Sequence, residues 1–281
     1  MPLPRAIAPP LVGLIAAGLL SLPARAVPVM YPDQVGTSVA YVDIIEDSTT
    51  DPTPLFGAPT LSGNALDFNP VAFGSTSTGL GGVDTTDGTL SMGINALPGN
   101  LIDEIQFRER GDFRLVGLGG MGTFAAVTMK VFVDVIEIDG QAVNIDLGPG
   151  GTNDPWDMVF TPSNGDWDLL NDGPGPLVDG DWSGALDIDV TQALIDLGYD
   201  GSATKVKINL DNALITLSEE GTTSFIKKKD VDGLTITVVP EPSTLLMMVT
   251  GCLFLGRRRF GRRDRTVGAG ARHGGLVRMG P

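Results

Sequence analysis

Cysteine and histidine are almost missing from this 281-residue chain, which has one of each, Cys252 and His273. Both lie beyond residue 239, so the stretch from 27 to 239 has neither. That excludes a disulfide framework, a thiol nucleophile, a Ser-His-Asp triad and an ordinary His/Cys zinc site from it. Basic residues are also scarce: between 27 and 239 there are 9 Lys and Arg against 32 Asp and Glu, a formal charge of −23. A phosphate backbone demands a basic patch, so nucleic acid is excluded as a partner. Divalent cations suit such a charge, calcium among them, and no cofactor is fixed by the composition. No apolar run reaches the roughly 20 residues that an ordinary membrane helix needs, and helical periodicity is nearly absent.

The two ends are short and greasy. Arg5 begins a positive segment, Leu11 to Leu22 is apolar, and Ala24-Arg25-Ala26 is a small-residue cleavage site. Residues 1–26 therefore read as a secretory signal peptide cut after Ala26. Near the other end, Pro240-Glu241-Pro242 precedes an apolar run, Leu245 to Leu255, and then Arg257, Arg258, Arg259, Arg262 and Arg263. Prolines disfavour a helix running in from the preceding chain, and arginines hold their end of a span in the cytoplasm. This predicts a short transmembrane tether over 240–263 with the bulk of the chain outside, and a disordered tail over 264–281.

The order Val239-Pro-Glu-Pro-Ser-Thr244, apolar run, Arg cluster resembles the PEP-CTERM sorting signal of exported bacterial proteins. The resemblance covers about 20 of the 281 residues and implies an exosortase, a membrane protease, as partner. It further implies processing at Pro240, Glu241 and Pro242, guided by Arg257, Arg258 and Arg259. The implied route is a transient stay in the inner membrane of a Gram-negative bacterium, then delivery to the cell surface or an exopolysaccharide matrix.

Residues 27–239 read as a single exported domain. Val127, Met129, Val131, Val133 and Val135 alternate with Thr128, Lys130, Phe132 and Asp134, and Leu186, Ile188 and Val190, then Val206, Ile208 and Leu210, then Leu234, Ile236 and Val238 alternate with polar residues. Period two marks strands. Shorter candidates are 38–45, 64–68, 89–94, 101–107 and 112–116, and Asp87-Gly88, Asp139-Gly140 and Asp232-Gly233 are hairpin-type pairs. One helix is predicted over Val190 to Leu197, capped by Asp189 or Thr191. The fold class is all-β, an antiparallel β-sandwich with jelly-roll-like order as one form of it.

Four constellations are candidate sites. Asp179, Asp181, Ser183 and Asp187 follow the spacing of an EF-hand calcium loop, although position 12 is Val190 where the acid should be. The competing reading is an acidic Gly-rich hairpin. Trp156, Trp167 and Trp182, interleaved with aspartates, are the material of a carbohydrate-stacking platform or of pins holding long loops to the sandwich. Asp103, Glu104 and Glu109 offer an acid pair for glycoside hydrolysis, which needs two converging carboxylates. Lys227-Lys228-Lys229 is the only basic run of the domain and reads as a protected sheet edge or a contact for acidic polysaccharide. The favoured function is a non-catalytic surface or matrix protein binding carbohydrate or calcium; the alternative is a secreted carboxylate-dependent glycoside hydrolase.

Overall fold

A computed structural model describes residues 27–151, 154–173 and 175–240. The signal-peptide and sorting segments, including Ala24, Ala26, Glu241, Pro242 and the arginines, lie outside the described residues. A boundary between compact units falls after Val239. No helix among the described residues is long and apolar enough to cross a membrane.

Among the described residues there are seventeen strands and one α-helix. The first ten strands are β1 Val29–Tyr31, β2 Gln34–Val35, β3 Val39–Asp47, β4 Thr60–Ser62, β5 Ala65–Phe68, β6 Gly74–Thr78, β7 Gly82–Ala96, β8 Glu104–Val116, β9 Phe124–Ile138 and β10 Gln141–Asp146. After them come β11 Trp156–Asp157, β12 Val159–Thr161, β13 Asp166–Asp168, β14 Leu177–Asp189, α1 Val190–Asp196, β15 Ala203–Ser218, β16 Thr223–Lys228 and β17 Leu234–Val239. One sheet has the order β1-β3-β7-β15-β9-β10, the other β12-β14-β8-β17-β5-β4, and every pairing is antiparallel.

The architecture follows from the alternation. In β8 every second residue, Ile105, Phe107, Glu109, Gly111, Phe113 and Leu115, is buried, while Arg108, Arg110 and Arg114 are exposed. The β9 and β15 valines, isoleucines and leucines behave likewise, and one core cluster joins both sheets. Polar ties cross between the sheets at three levels: Tyr41 Oη donates to the Asn64 carbonyl at 2.6 Å, Ser224 Oγ to the Phe124 carbonyl at 2.6 Å, and Asn212 Nδ2 to Glu109 at 2.8 Å. The chain is therefore an antiparallel β-sandwich. The predicted helix is present as well, and Asp189 caps it, its Oδ1 accepting from the Gln192 amide at 2.7 Å.

Asp139-Gly140 joins β9 to β10 with Ile138 paired to Gln141, the expected hairpin. The other two predicted turns are corrected. Asp87-Gly88 lies inside the unbroken strand β7, paired with Ala213 and Asn212. Glycine is needed there for close approach rather than for a turn, because a Cβ on Gly88 would stand 2.7 Å from the Phe73 ring and 3.0 Å from the Phe56 ring. Asp232-Gly233 does not make a hairpin either. Strands β16 and β17 run in the same direction along β8, Lys228 opposite Gly111 and Leu234 opposite Glu109. The five residues from Lys229 to Gly233 therefore oppose Arg110 alone and must loop outward. The separate candidates 101–107 and 112–116 are one strand, β8, in which Gly111 makes room for an indole: a Cβ there would lie 2.1 Å from Trp182.

Candidate functional site

The outward loop Lys229 to Gly233 builds one wall of a surface cleft. It is anchored at its ends by Lys229 N–H donating to the Arg110 carbonyl at 3.0 Å and Arg110 N–H to the Gly233 carbonyl at 3.2 Å. The Arg110 side chain holds its middle, with Nε on the Asp232 carbonyl at 3.1 Å, Nη2 on the Val231 carbonyl at 3.1 Å, and an ion pair to Asp232 Oδ2 at 2.6 Å. Across β8 the end of β12 supplies a second wall. Between the two lies a cleft of about 820 Å³, lined among others by Arg110, Thr161, Asp181, Ser183, Lys229 and Asp230.

A shallower depression of about 530 Å³ continues it along β8 and β14 past Asp112, Arg114, Asp179 and Phe225, and shares Asp181 and Lys229 with the cleft. The two form one trough across the outer face of the sheet. Lys229 stands at their junction, its Nζ 2.7 Å from Asp181 Oδ1 and 3.2 Å from Asp112 Oδ1. The hydrogen bond to Asp181, then the bond and charge of Asp112, hold its ammonium above the usual lysine range. The trough offers fixed cations, carboxylates and two hydroxyls around an apolar wall of Pro162 and Val231. Such a set can donate to and accept from a polyhydroxylated ligand.

The predicted calcium residues do not converge. Asp179, Asp181, Ser183 and Asp187 are all in β14, paired residue by residue with β8 over its whole length. At about 3.3 Å per residue, Asp179 and Asp187 stand roughly 26 Å apart along an extended strand, and no ion bridges that. Their charges are spent locally instead, Asp187 on Arg108 at 2.5 Å and Asp181 on Lys229. No group of three or more potential ligands capable of holding a metal occurs among the described residues. The acidic hairpin offered as the other reading is likewise replaced by a strand.

The tryptophans do not form an exposed platform. Trp167 is 1 % exposed and Trp182 2 % exposed. Trp167 stacks on Phe113 with centroids 4.2 Å apart, and Trp182 meets Phe160 edge to face at 5.7 Å. Trp156 is half-buried, and its Nε1–H donates to the Leu147 carbonyl. All three act as core packing, because large rings gain most by leaving water. Glu109 is fully buried and ion-paired with Lys228, and Glu104, an odd number of residues away on the same strand, faces the other side, so Glu109 is not an open acid for either Asp103 or Glu104. Lys228 is not on an edge: β16 pairs with both β6 and β8, and the lysine points inward.

Sequence reasoning missed Arg110, Thr161 and the 229–233 loop, since a loop opposite a single residue leaves no periodic trace. It also missed an ionic cluster between the sheets. Glu109 and Lys228 are ion-paired with both side chains 0 % exposed, and Asn212 Nδ2 lies 2.8 Å from each Glu109 oxygen. The Lys228 Nζ sits 4.3 Å from the Phe73 centroid and 4.9 Å from that of Phe56. Nearby, Glu46 accepts from the Phe56 amide at 2.9 Å, the Gly57 amide at 3.2 Å and the Tyr31 hydroxyl at 2.6 Å. The parity of Lys228 with Ser224 and Ile226 was the available signal.

No protein-family model and no curated protein matches the chain. Among solved structures, it is similar to a family 61 carbohydrate-binding module in complex with β-1,4-galactotriose, at 11% identity, over 69% of this chain and 82% of that one, with a TM-score of 0.18. A family 12 xyloglucanase from Bacillus licheniformis gives 13% identity, 69% and 99% coverage and a TM-score of 0.22. The Trichoderma harzianum endoglucanase 3, also of family 12, gives 12%, 70%, 99% and 0.21. At such scores these likenesses carry no function to this chain.

Proposed function

We propose that this chain is an exported, non-catalytic carbohydrate-binding protein, carried by its signal peptide and PEP-CTERM-like signal through the inner membrane to the cell surface or exopolysaccharide matrix. An exosortase is its processing partner. The observation that carries the binding role is the trough opened by the 229–233 loop, where Arg110, Lys229, Asp181 and Asp230 stand among hydroxyls on an otherwise regular sheet face. Support for a non-catalytic role comes from Lys229, which ties up both Asp112 and Asp181 as ion pairs rather than leaving a free acid and base. The strongly negative surface keeps such a domain soluble at high density.

A glycan array probed with the purified full chain and with Asp230→Ala and Thr161→Ala variants tests the binding role. Carbohydrate binding is expected, weakened in both variants; binding that survives both, or no binding at all, sinks it. Replacing Pro240-Glu241-Pro242 by alanines is expected to leave the chain in the inner membrane of a host that has an exosortase. Unchanged surface delivery would defeat the sorting argument.

A further inference from the structure

We infer that Lys228 and Asn212 are joined by an isopeptide bond that the folded chain forms by itself, with Glu109 as the proton-transferring residue, so that the two sheets are covalently tied. Glu109 Oε1 accepts from both partners, from Lys228 Nζ and from Asn212 Nδ2. Amine and carboxamide are therefore at most two hydrogen-bond lengths apart, roughly 6 Å. The three residues come from different strands: Glu109 from β8, Lys228 from β16 beside it, and Asn212 from β15 in the facing sheet.

Each element of the site favours acyl transfer to nitrogen. A lysine amine is nucleophilic only when neutral. Burial pushes the Lys228 ammonium below the usual lysine range, against the pull of Glu109. In so dry a place, passing a proton from the ammonium to Glu109 turns two buried charges into two neutral groups. Phe56 and Phe73 wall the amine, and Glu109, Lys228 and Asn212 are all buried, so water is kept from competing for the amide carbon. Asn212 Oδ1 is buried without a hydrogen-bond partner, so no protein donor holds the carbonyl oxygen in place against the attack.

The atoms balance without a co-reactant. Lys228 Nζ, having given one proton to Glu109, attacks Asn212 Cγ, and the C–Nζ bond forms as the C–Nδ2 bond breaks. Glu109 hands its proton to the departing Nδ2. The amine loses a second proton on becoming an amide N–H, and the nitrogen leaves as ammonium. Glu109 ends as the carboxylate it was. Nothing is oxidised or reduced, and the chain loses one ammonia. For a sandwich with no cysteine between 27 and 239, such a bond closes a 17-residue loop (212 to 228) where a disulfide has no residues to form.

Intact-mass measurement and peptide mapping of the purified full chain decide the matter. Cleavage after glutamate cuts between the two residues at Glu219 and Glu220. The wild-type protein is expected to be about 17 Da lighter than its processed sequence, with the segments around Asn212 and Lys228 recovered as one branched peptide. The branch distinguishes this from a succinimide at Asn164-Gly165, which loses the same mass but leaves two linear peptides. Two linear peptides with Lys228 unmodified would overturn the inference. Glu109→Gln, with folding checked by circular dichroism, is expected to lose the branch, and a fully branched Glu109→Gln protein would overturn the role of Glu109. Should that variant fail to fold, the wild-type map alone still decides.

Discussion

The two faces of strand β8 use the same chemistry to opposite ends. Outward, Arg108, Arg110 and Asp112 meet Asp187, Asp232 and Lys229 in pairs that remain half in water. Inward, one residue along, Glu109 meets Lys228 with both fully buried. Exposed pairs contribute little, because solvent screens them and two long side chains lose freedom. A buried pair is no better than an apolar pair of the same shape, yet removing one partner strands a charge in a poor solvent for it. The difference teaches that the outer pairs are free to serve a ligand and the inner one is not: its residues are retained for geometry or chemistry.

That contrast can be broken most forcefully from the inside. Lys228→Met removes both the proposed bond to Asn212 and the buried partner of Glu109, and is expected to cost at least about 3–5 kcal/mol in urea unfolding, the size of the stranded-charge effect alone. Adding Glu109→Leu to it should recover a large share of the loss; a double variant less stable than the single would show that the inner pair is not governed by stranded charge. Gly111→Ala comes next. Its methyl would push on Trp182 from 2.1 Å, and overpacking of that kind costs about 1–3 kcal/mol; an unchanged midpoint would mean the indole is not packed against β8. On the outside, Lys229→Ala should change stability by less than about 1 kcal/mol while weakening carbohydrate binding in the trough. A large stability loss there would erase the distinction between the faces.

The smallest effect belongs to Asp166. Burial first, and then the charges of Asp168 and Asp172, raise its carboxyl above the usual aspartate range. A raised value means that the folded state holds the proton more tightly than the unfolded one, so this contribution is fully present below the ordinary aspartate range and is lost as pH rises through the folded value. At pH 7 Asp166→Asn should therefore raise the melting temperature by about one degree, the screening of a partly exposed site keeping it small. Near pH 4 the gain should shrink. A gain that grows on acidification would contradict the sign.

Much of the sandwich was legible because burial on one face of a sheet forces period two, and the apolar residues Val127 to Val135 and Val206, Ile208 and Leu210 recur at every second position. The capped helix at 190 was legible for a similarly local reason. The glycines misled. At Gly88 and Gly111 they make space for aromatic rings arriving from elsewhere in the chain, which no short window of sequence records. The calcium spacing misled in the same way, since alternate acids suit a loop or the wet face of a strand equally well, and only the unbroken pairing of β14 with β8 separates them.

By itself the sequence determined the acidity, the lack of thiol and imidazole between 27 and 239, and the alternation that makes two sheets, because composition and periodicity are properties of the chain read in order. The tertiary structure alone decided that the tryptophans are packing, that five residues loop out opposite Arg110 to open a trough, and that Glu109, Asn212 and Lys228 share one dry place. Those outcomes depend on partners as far apart as Arg110 and Asp232, 122 residues along the chain, and proximity across such a separation is settled by how whole sheets pack.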